Sequence, residues 1–427
     1  MKKTLHILAF MAGTFTTQGQ YAWTYESLYD NVADSSGLEL SFGQFEQKTL
    51  SNIHLGQWYG LDVLPAGKTE VFAMTETQQE LLNLRFHKGF WQYGIGTSTY
   101  SLNTRTIDDQ LFNILYADGV SGRGDYSFYS LSTLKHSATV GRKIGGFIEA
   151  TLMVNAHQLN SLAELNYSGN LRHTQDELFA NFSGNYHSFN AEYTDTARTI
   201  AFLPQGIADN ESIYYSTFRY GSLQYSLGFF MKMDLSKKVQ LNIFGNHFGS
   251  NTAVTTQRQK NSYSMTLTST EIQTADLINT NNSPIIQPNG SYNYNETRSE
   301  KTDSNFNVSL QPQIQGASLI IKTSTSMDLM LSSSQTMYPT FVNNRHSILL
   351  RKNLRTNHLI GGILFENRGN SKNFYNLVFG GEYEVAPRLS FKFYSNTAIN
   401  FNYLNQAFAP RSAARMQFVV GAEITLP

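Results

Sequence analysis

The chain has 427 residues, no cysteine, 15% charged residues and a formal net charge of zero. Without cysteine there is no disulfide framework, no thiolate metal site and no cysteine-linked lipid anchor, and a balanced charge excludes the basic field that nucleic acid selects. Charge stands well below the ~25% of ordinary soluble domains, while 24 Tyr and 29 Phe lift aromatics to 13%, a composition suited to a band that meets hydrocarbon.

Lys2 and Lys3, the apolar run from Leu5 to Phe15, and the small residues Thr17 and Gly19 read as a secretory signal over residues 1–19. The mature start then falls near Gln20. That apolar run is too short to span a bilayer, and no later run reaches the roughly 18 residues a spanning helix needs. Residues 20–37 form an N-terminal segment that could serve as a plug. Residues 38–427 are expected to build an outer-membrane β-barrel of a Gram-negative bacterium.

The alternation begins at Leu38, Leu40 and Phe42, and residues 38–86 have room for two strands. From Gly89 onward the spacing allows fourteen more. The predicted fold is all-β, a transmembrane antiparallel up-and-down β-barrel of about 14–16 strands with a short plug-like segment at its start. A barrel of that size leaves an interior for a channel or a plug. Short turns are predicted near 142–146, 236–238, 315–316, 355–357 and 386–387. Long connections are predicted at 103–124, 194–211, 249–304, 333–345 and 396–414. The cleanest single face is Leu223, Tyr225, Leu227, Phe229, Met231, Met233 and Leu235, with mostly polar residues between them. The stretch 249–304, rich in Asn, Thr, Ser and Gln, is predicted to be the largest external loop, a mobile hairpin. In the last strand Phe418, Val420, Ala422, Ile424 and Leu426 share one face.

Two local patterns resemble known families. Gly421-x-x-Ile424-x-Leu426 resembles the signal that outer-membrane barrels present to the barrel-assembly machinery, although that family usually ends in Phe and this chain ends Leu426-Pro427. Near the mature start, Ser27-Leu28-Tyr29-Asp30-Asn31-Val32-Ala33, followed by Gly37-Leu38-Glu39-Leu40-Ser41-Phe42-Gly43, resembles the long-chain fatty-acid transport barrels. In that family an Asn-Pro-Ala segment within the plug precedes the first strand. Here Asn31, Val32 and Ala33 stand in its place, with Val32 for proline. The resemblance implies a fourteen-stranded barrel whose N-terminal hatch lets apolar molecules pass sideways or inward.

Apolar residues in two long connections, Phe112, Leu115 and Tyr116 in the first and Phe202 and Leu203 in the next, are candidate contacts for a greasy ligand at the rim. Arg123-Gly124-Asp125 matches an adhesion tripeptide that arises by chance in Gly-containing turns. The ten His are scattered, with no His-x-x-x-His spacing, and there is no glycine-rich phosphate loop or acidic calcium loop. Catalytic, cofactor and metal residues are therefore assigned to none. The expected partners are outer-membrane lipid, the barrel-assembly machinery, and either a small solute or other envelope proteins. The function expected is a passive channel or transporter for small apolar or amphipathic solutes. The alternative is a non-catalytic barrel scaffold for secretion, surface attachment or gliding.

Overall fold

A computed structural model describes residues 37–51, 70–114, 120–174, 176–189, 223–268, 291–339, 341–354, 357–368, 373–386, 388–398 and 415–426. In order, the strands are β1 (Gly37–Ser51), β2 (Glu70–Lys88), β3 (Trp91–Asp108), β4 (Val120–Ile144), β5 (Ile148–His173) and β6 (Glu177–Phe189). They continue with β7 (Leu223–Ser236), β8 (Val239–Phe248), β9 (Asn251–Thr268), β10 (Ser291–Arg298), β11 (Thr302–Ser309) and β12 (Gln313–Lys322). The last six are β13 (Met327–Met337), β14 (Val342–Leu354), β15 (Asn357–Arg368), β16 (Asn373–Ala386), β17 (Leu389–Ala398) and β18 (Arg415–Leu426). One short helix, α1 (Asp109–Ile114), follows β3.

Every pairing is antiparallel, and most join consecutive strands. β1 to β5 pair in sequence. The lower part of β5, Ile148 to Gln158, takes β7 as its partner, and the upper part, Leu162 to His173, takes β6. β7 pairs with β8, β8 with β12, and β12 to β18 again pair in sequence. β18 then pairs with β1, Leu38 opposite Leu426 and Leu50 opposite Arg415. The pairings thus lead through fourteen positions and return to β1. Some positions are shared. β9 carries β8 upward and pairs with β6, β10 and β11.

The two walls differ in height. β2 to β5 run 18 to 26 residues, whereas β12 to β17 run 10 to 14. The lower, turn-bearing end carries the tight connections at 89–90, 145–147 and 237–238. There the two faces sort as alternation demands. Ile95, Val140, Leu152, Val154, Leu227, Ile348, Ile363, Phe379 and Phe393 point outward and are exposed, forming an apolar belt. On the inner face at this height Asn155, Ser226, Asn242 and Ser318 are buried. The face Leu223 to Leu235 in β7 behaves as predicted.

Several details of the sequence reading need correction. Residues 38–86 hold the two strands expected, β1 and β2, but sixteen strands rather than fourteen follow Gly89, twelve of them in the ring. The predicted loop 249–304 is a hairpin, but its arms are β9 with β10 and β11, paired residue by residue from Asn251–Ser309 to Thr268–Ser291. Asn, Thr and Ser satisfy a ladder through their backbones whatever their side chains, which composition alone conceals. The predicted loop 333–345 shrinks to 338–341, because β13 and β14 extend into it. Gln315-Gly316 is no turn but lies inside β12, opposite Ser334 and Gln335. The segment 103–124 is shortened by the upper ends of β3 and β4 and by α1.

Candidate functional site

Two neighbouring strand positions kink at the same height. Between β8 and β9, His247 (φ 61°) and Gly249 (φ 85°) take the left-handed backbone region, which glycine enters freely and histidine does not. The His247 N–H donates to Asn246 Oδ1 at 2.9 Å, and its ring Nδ1 lies 3.0 Å from the Pro312 carbonyl oxygen. Between β11 and β12 the break is Leu310-Gln311-Pro312, where proline cannot donate to a ladder. The kinks are tied together. Leu310 N–H donates to the Ser250 carbonyl at 3.2 Å, and Ser250 Oγ donates to the Gln311 carbonyl at 2.8 Å.

The opposite wall changes character at the same level through two bulges. Leu81 is skipped in the β2–β3 register and Asn160 in the β4–β5 register. An extra residue shifts the parity of everything beyond it. Leu82 and Phe86 in β2 are exposed on the outside, but Phe72, Met74 and Glu76, also even-numbered, are buried inside. Likewise Leu152 and Val154 face out, whereas Leu162 faces in.

The result is an apolar constriction. Phe72, Met74, Tyr100, Leu102, Tyr129, Leu131, Leu159 and Leu162 from the tall wall pack with Val254, Val308, Leu310 and Tyr338 from the other side, with Phe306 and Phe341 against them. Hydrogen bonds cross the lumen here. Thr133 Oγ1 donates to the Leu310 carbonyl at 3.3 Å, and Tyr338 donates to Glu76 Oε2 at 2.7 Å. Tyr100 donates to Oε1 of the same carboxylate at 3.1 Å.

Beneath the constriction the interior is polar on the tall wall. Lys135 Nζ lies 3.5 Å from His247 Nε2, and His157 Nε2 lies 2.7 Å from Ser226 Oγ. Asn155 Nδ2 donates to Asn246 Oδ1 at 2.9 Å. Gln92 Oε1, Ser98 Oγ, Glu149 Oε1, Thr151 Oγ1, Asn155 Oδ1 and His157 Nδ1 are buried without a hydrogen-bonding partner among the described residues. Groups like these are satisfied by water or by a polar solute. The short wall presents an inward apolar cluster instead, including Ile320, Met330, Leu349, Ile360, Leu364, Val378 and Tyr394. Several of its polar groups are paired: Arg351 donates to Asp328 Oδ2 at 2.7 and 3.0 Å, and Glu366 accepts from Asn343 and Asn376.

None of the sequence-derived candidates among the described residues lies in this constriction. Asn31, Val32, Ala33, Leu115, Tyr116, Phe202 and Leu203 lie outside the described residues. Phe112 falls in α1, whose Leu111 and Ile114 are buried against β4. Gly421 and Ile424 sit in β18, with Ile424 opposite Leu40 and Leu389, and Leu426 opposite Leu38. Arg123-Gly124-Asp125 is extended strand rather than turn, and the Asp125 N–H donates to Asp108. No group of three His, Asp or Glu able to hold a metal gathers among the described residues. A usable signal for the constriction was present: Pro312, and apolar residues whose parity reverses within one strand.

No family model and no curated protein matches the chain. Solved structures do. It is similar to the Pseudomonas putida toluene transporter TodX, at 8% identity and TM-score 0.41, covering 96% of this chain and 94% of that one. A CymD monoaromatic hydrocarbon channel matches at 9% identity and TM-score 0.40, over 92% and 88% of the two chains. A FadL homologue of Pseudomonas aeruginosa matches at 7% and 0.40, over 92% and 89%.

Proposed function

We propose that this chain is an outer-membrane barrel that passes small apolar or amphipathic solutes through a hydrophobic constriction. The observation that carries the reading is the wall-to-wall cluster of buried apolar side chains lying above a polar chamber. An apolar barrier of this kind excludes ions and hydrophilic solutes, because they would shed their hydration without gaining partners. An apolar solute meets no such penalty, and the chamber below offers both apolar and polar contacts. The outward belt supports insertion into lipid, and on this reading Gly421, Ile424 and Leu426 in β18 serve as the signal to the assembly machinery.

The test joins two measurements. In planar bilayers the purified barrel is expected to show no steady open-pore conductance. A deletion strain is expected to take up a radiolabelled aromatic hydrocarbon or a fatty acid more slowly than the parent, with uptake restored by the gene. Steady ohmic conductance, or uptake indifferent to deletion, overturns the reading. The cluster that closes the lumen also supports a second role as an envelope scaffold, and Asn166, Ser168 and Asn170, exposed on the upper part of β5, suit protein contact. Stable co-purification of envelope proteins with a barrel that passes no solute would select that role.

A further inference from the structure

The short connection between β13 and β14 does more than reverse the chain. Tyr338 N–H donates to the Phe341 carbonyl at 2.9 Å, and the two rings stack with centroids 4.6 Å apart. This compact turn leans over the mouth. Phe341 meets Phe72 edge to face at 5.4 Å, and the Tyr338 hydroxyl reaches Glu76 at 2.7 Å. Glu76 belongs to β2, on the far wall. Tyr100, which also donates to this carboxylate, belongs to β3, which already pairs with β2. One bond therefore spans the lumen and the other does not.

We infer that Tyr338 and Glu76 form a latch that holds the apolar constriction shut, with the β13–β14 turn as its moving jaw. The apolar contacts between the jaw and Phe72 are non-directional and permit sliding, whereas the phenol–carboxylate bond fixes one closed position. A solute pressing between the aromatic rings would open this side of the mouth by breaking the phenol–carboxylate bond. Tyr338 and Glu76 are thus positioning residues for passage. The inference rests on the passage reading only for what the gate admits; the latch itself can be tested without any transport.

The chain has no cysteine, so Ser98→Cys creates a sole thiol. Ser98 is buried on the inner face of β3, just below Tyr100. Intact cells are treated with a thiol reagent too large and polar to cross the outer membrane by other routes, and heat-modifiable gel mobility confirms a folded barrel. In the Ser98→Cys background labelling is expected to be slow. Adding Tyr338→Phe should accelerate it by about tenfold or more, as expected for loss of a hydrogen bond to a charged group. Glu76→Gln keeps an acceptor and should give a smaller rise. Tyr100→Phe deletes a bond of the same kind to the same carboxylate, but within one wall, and should give a clearly smaller rise than Tyr338→Phe. Unchanged labelling in folded Tyr338→Phe, or an equal rise in Tyr100→Phe, overturns the latch. Should Glu76→Gln fail to fold, the comparison of the two tyrosine variants decides alone. Failure of the passage reading would appear instead as absent uptake, with labelling still readable.

Discussion

Leu162→Ala measures whether the constriction is dry. Leu162 is fully buried, stands opposite Leu131 in the β4–β5 register, and belongs to the cluster that bridges the lumen. Truncation removes about three methylene equivalents, or roughly 2.4 kcal/mol at ~0.8 kcal/mol each. Packed neighbours on both walls close the space only partly, so a cavity term raises the expected cost to about 3 kcal/mol, within the ~2–5 typical of buried leucines. Leu152 supplies the comparison, because it is 63% exposed on the outer belt. Lipid chains close around a shortened side chain, so Leu152→Ala should cost only the transfer part, about 2 kcal/mol. Denaturant titration of the barrel folded in vesicles reads both values, provided the slope is unchanged. If Leu162→Ala costs less than about 1 kcal/mol, water already reaches this side chain and the dry barrier does not exist.

The other predictions concern belt, interior and kink. Leu152→Arg should destabilise the vesicle-folded barrel by about 2–4 kcal/mol, whereas Asn170→Arg, exposed on the upper part of β5, should stay within about 0.5 kcal/mol; equal costs would remove the distinction between belt and extension. Asp328→Ala removes the acceptor of two hydrogen bonds from the part-buried Arg351 guanidinium and should cost about 2 kcal/mol by the same titration, with Asp328→Asn recovering part of it. Gly249→Ala meets no steric obstacle, its nearest contact being the Tyr225 carbonyl oxygen at 3.8 Å, but it must hold φ at +85° and should cost about 1 kcal/mol. A neutral result in a stability titration would show that the kink is relaxed in solution.

What could be read in the sequence was the part of the fold governed by period two. The β7 face from Leu223 to Leu235, the turns at 236–238 and 386–388, and the apolar outer belt all follow from one side chain per face per step. The reading failed where the rhythm carries no information about pairing. The polar stretches of β9 to β11 have no apolar face to announce them, yet their backbones complete the sheet against β6. Glycine often marks a turn, and Gly316 suggests one by residue type alone. In the structure it lies inside β12, crowded by the Ser333 carbonyl and the Phe244 ring, where no larger side chain fits. The true break lay four residues earlier, at Pro312.

The constriction stayed hidden for a related reason. Its residues come from strands far apart in the chain, and each looks like belt until parity is counted through a bulge. Counting even positions along β5 without the skip at Asn160 puts Leu162 in lipid beside Leu152 and Val154; counting with it turns Leu162 into the lumen. The same holds in β2 for Phe72 and Met74 beyond Leu81. Two bulges on one wall and two linked kinks on the other occur at a common height, and each alone would leave a gap. The bulges bring large side chains inward, and the kinks advance Val308 and Leu310 to meet them. A barrier built this way belongs to the wall itself. Its opening must therefore move strand ends or the β13–β14 turn, where the fewest ladder bonds need to break.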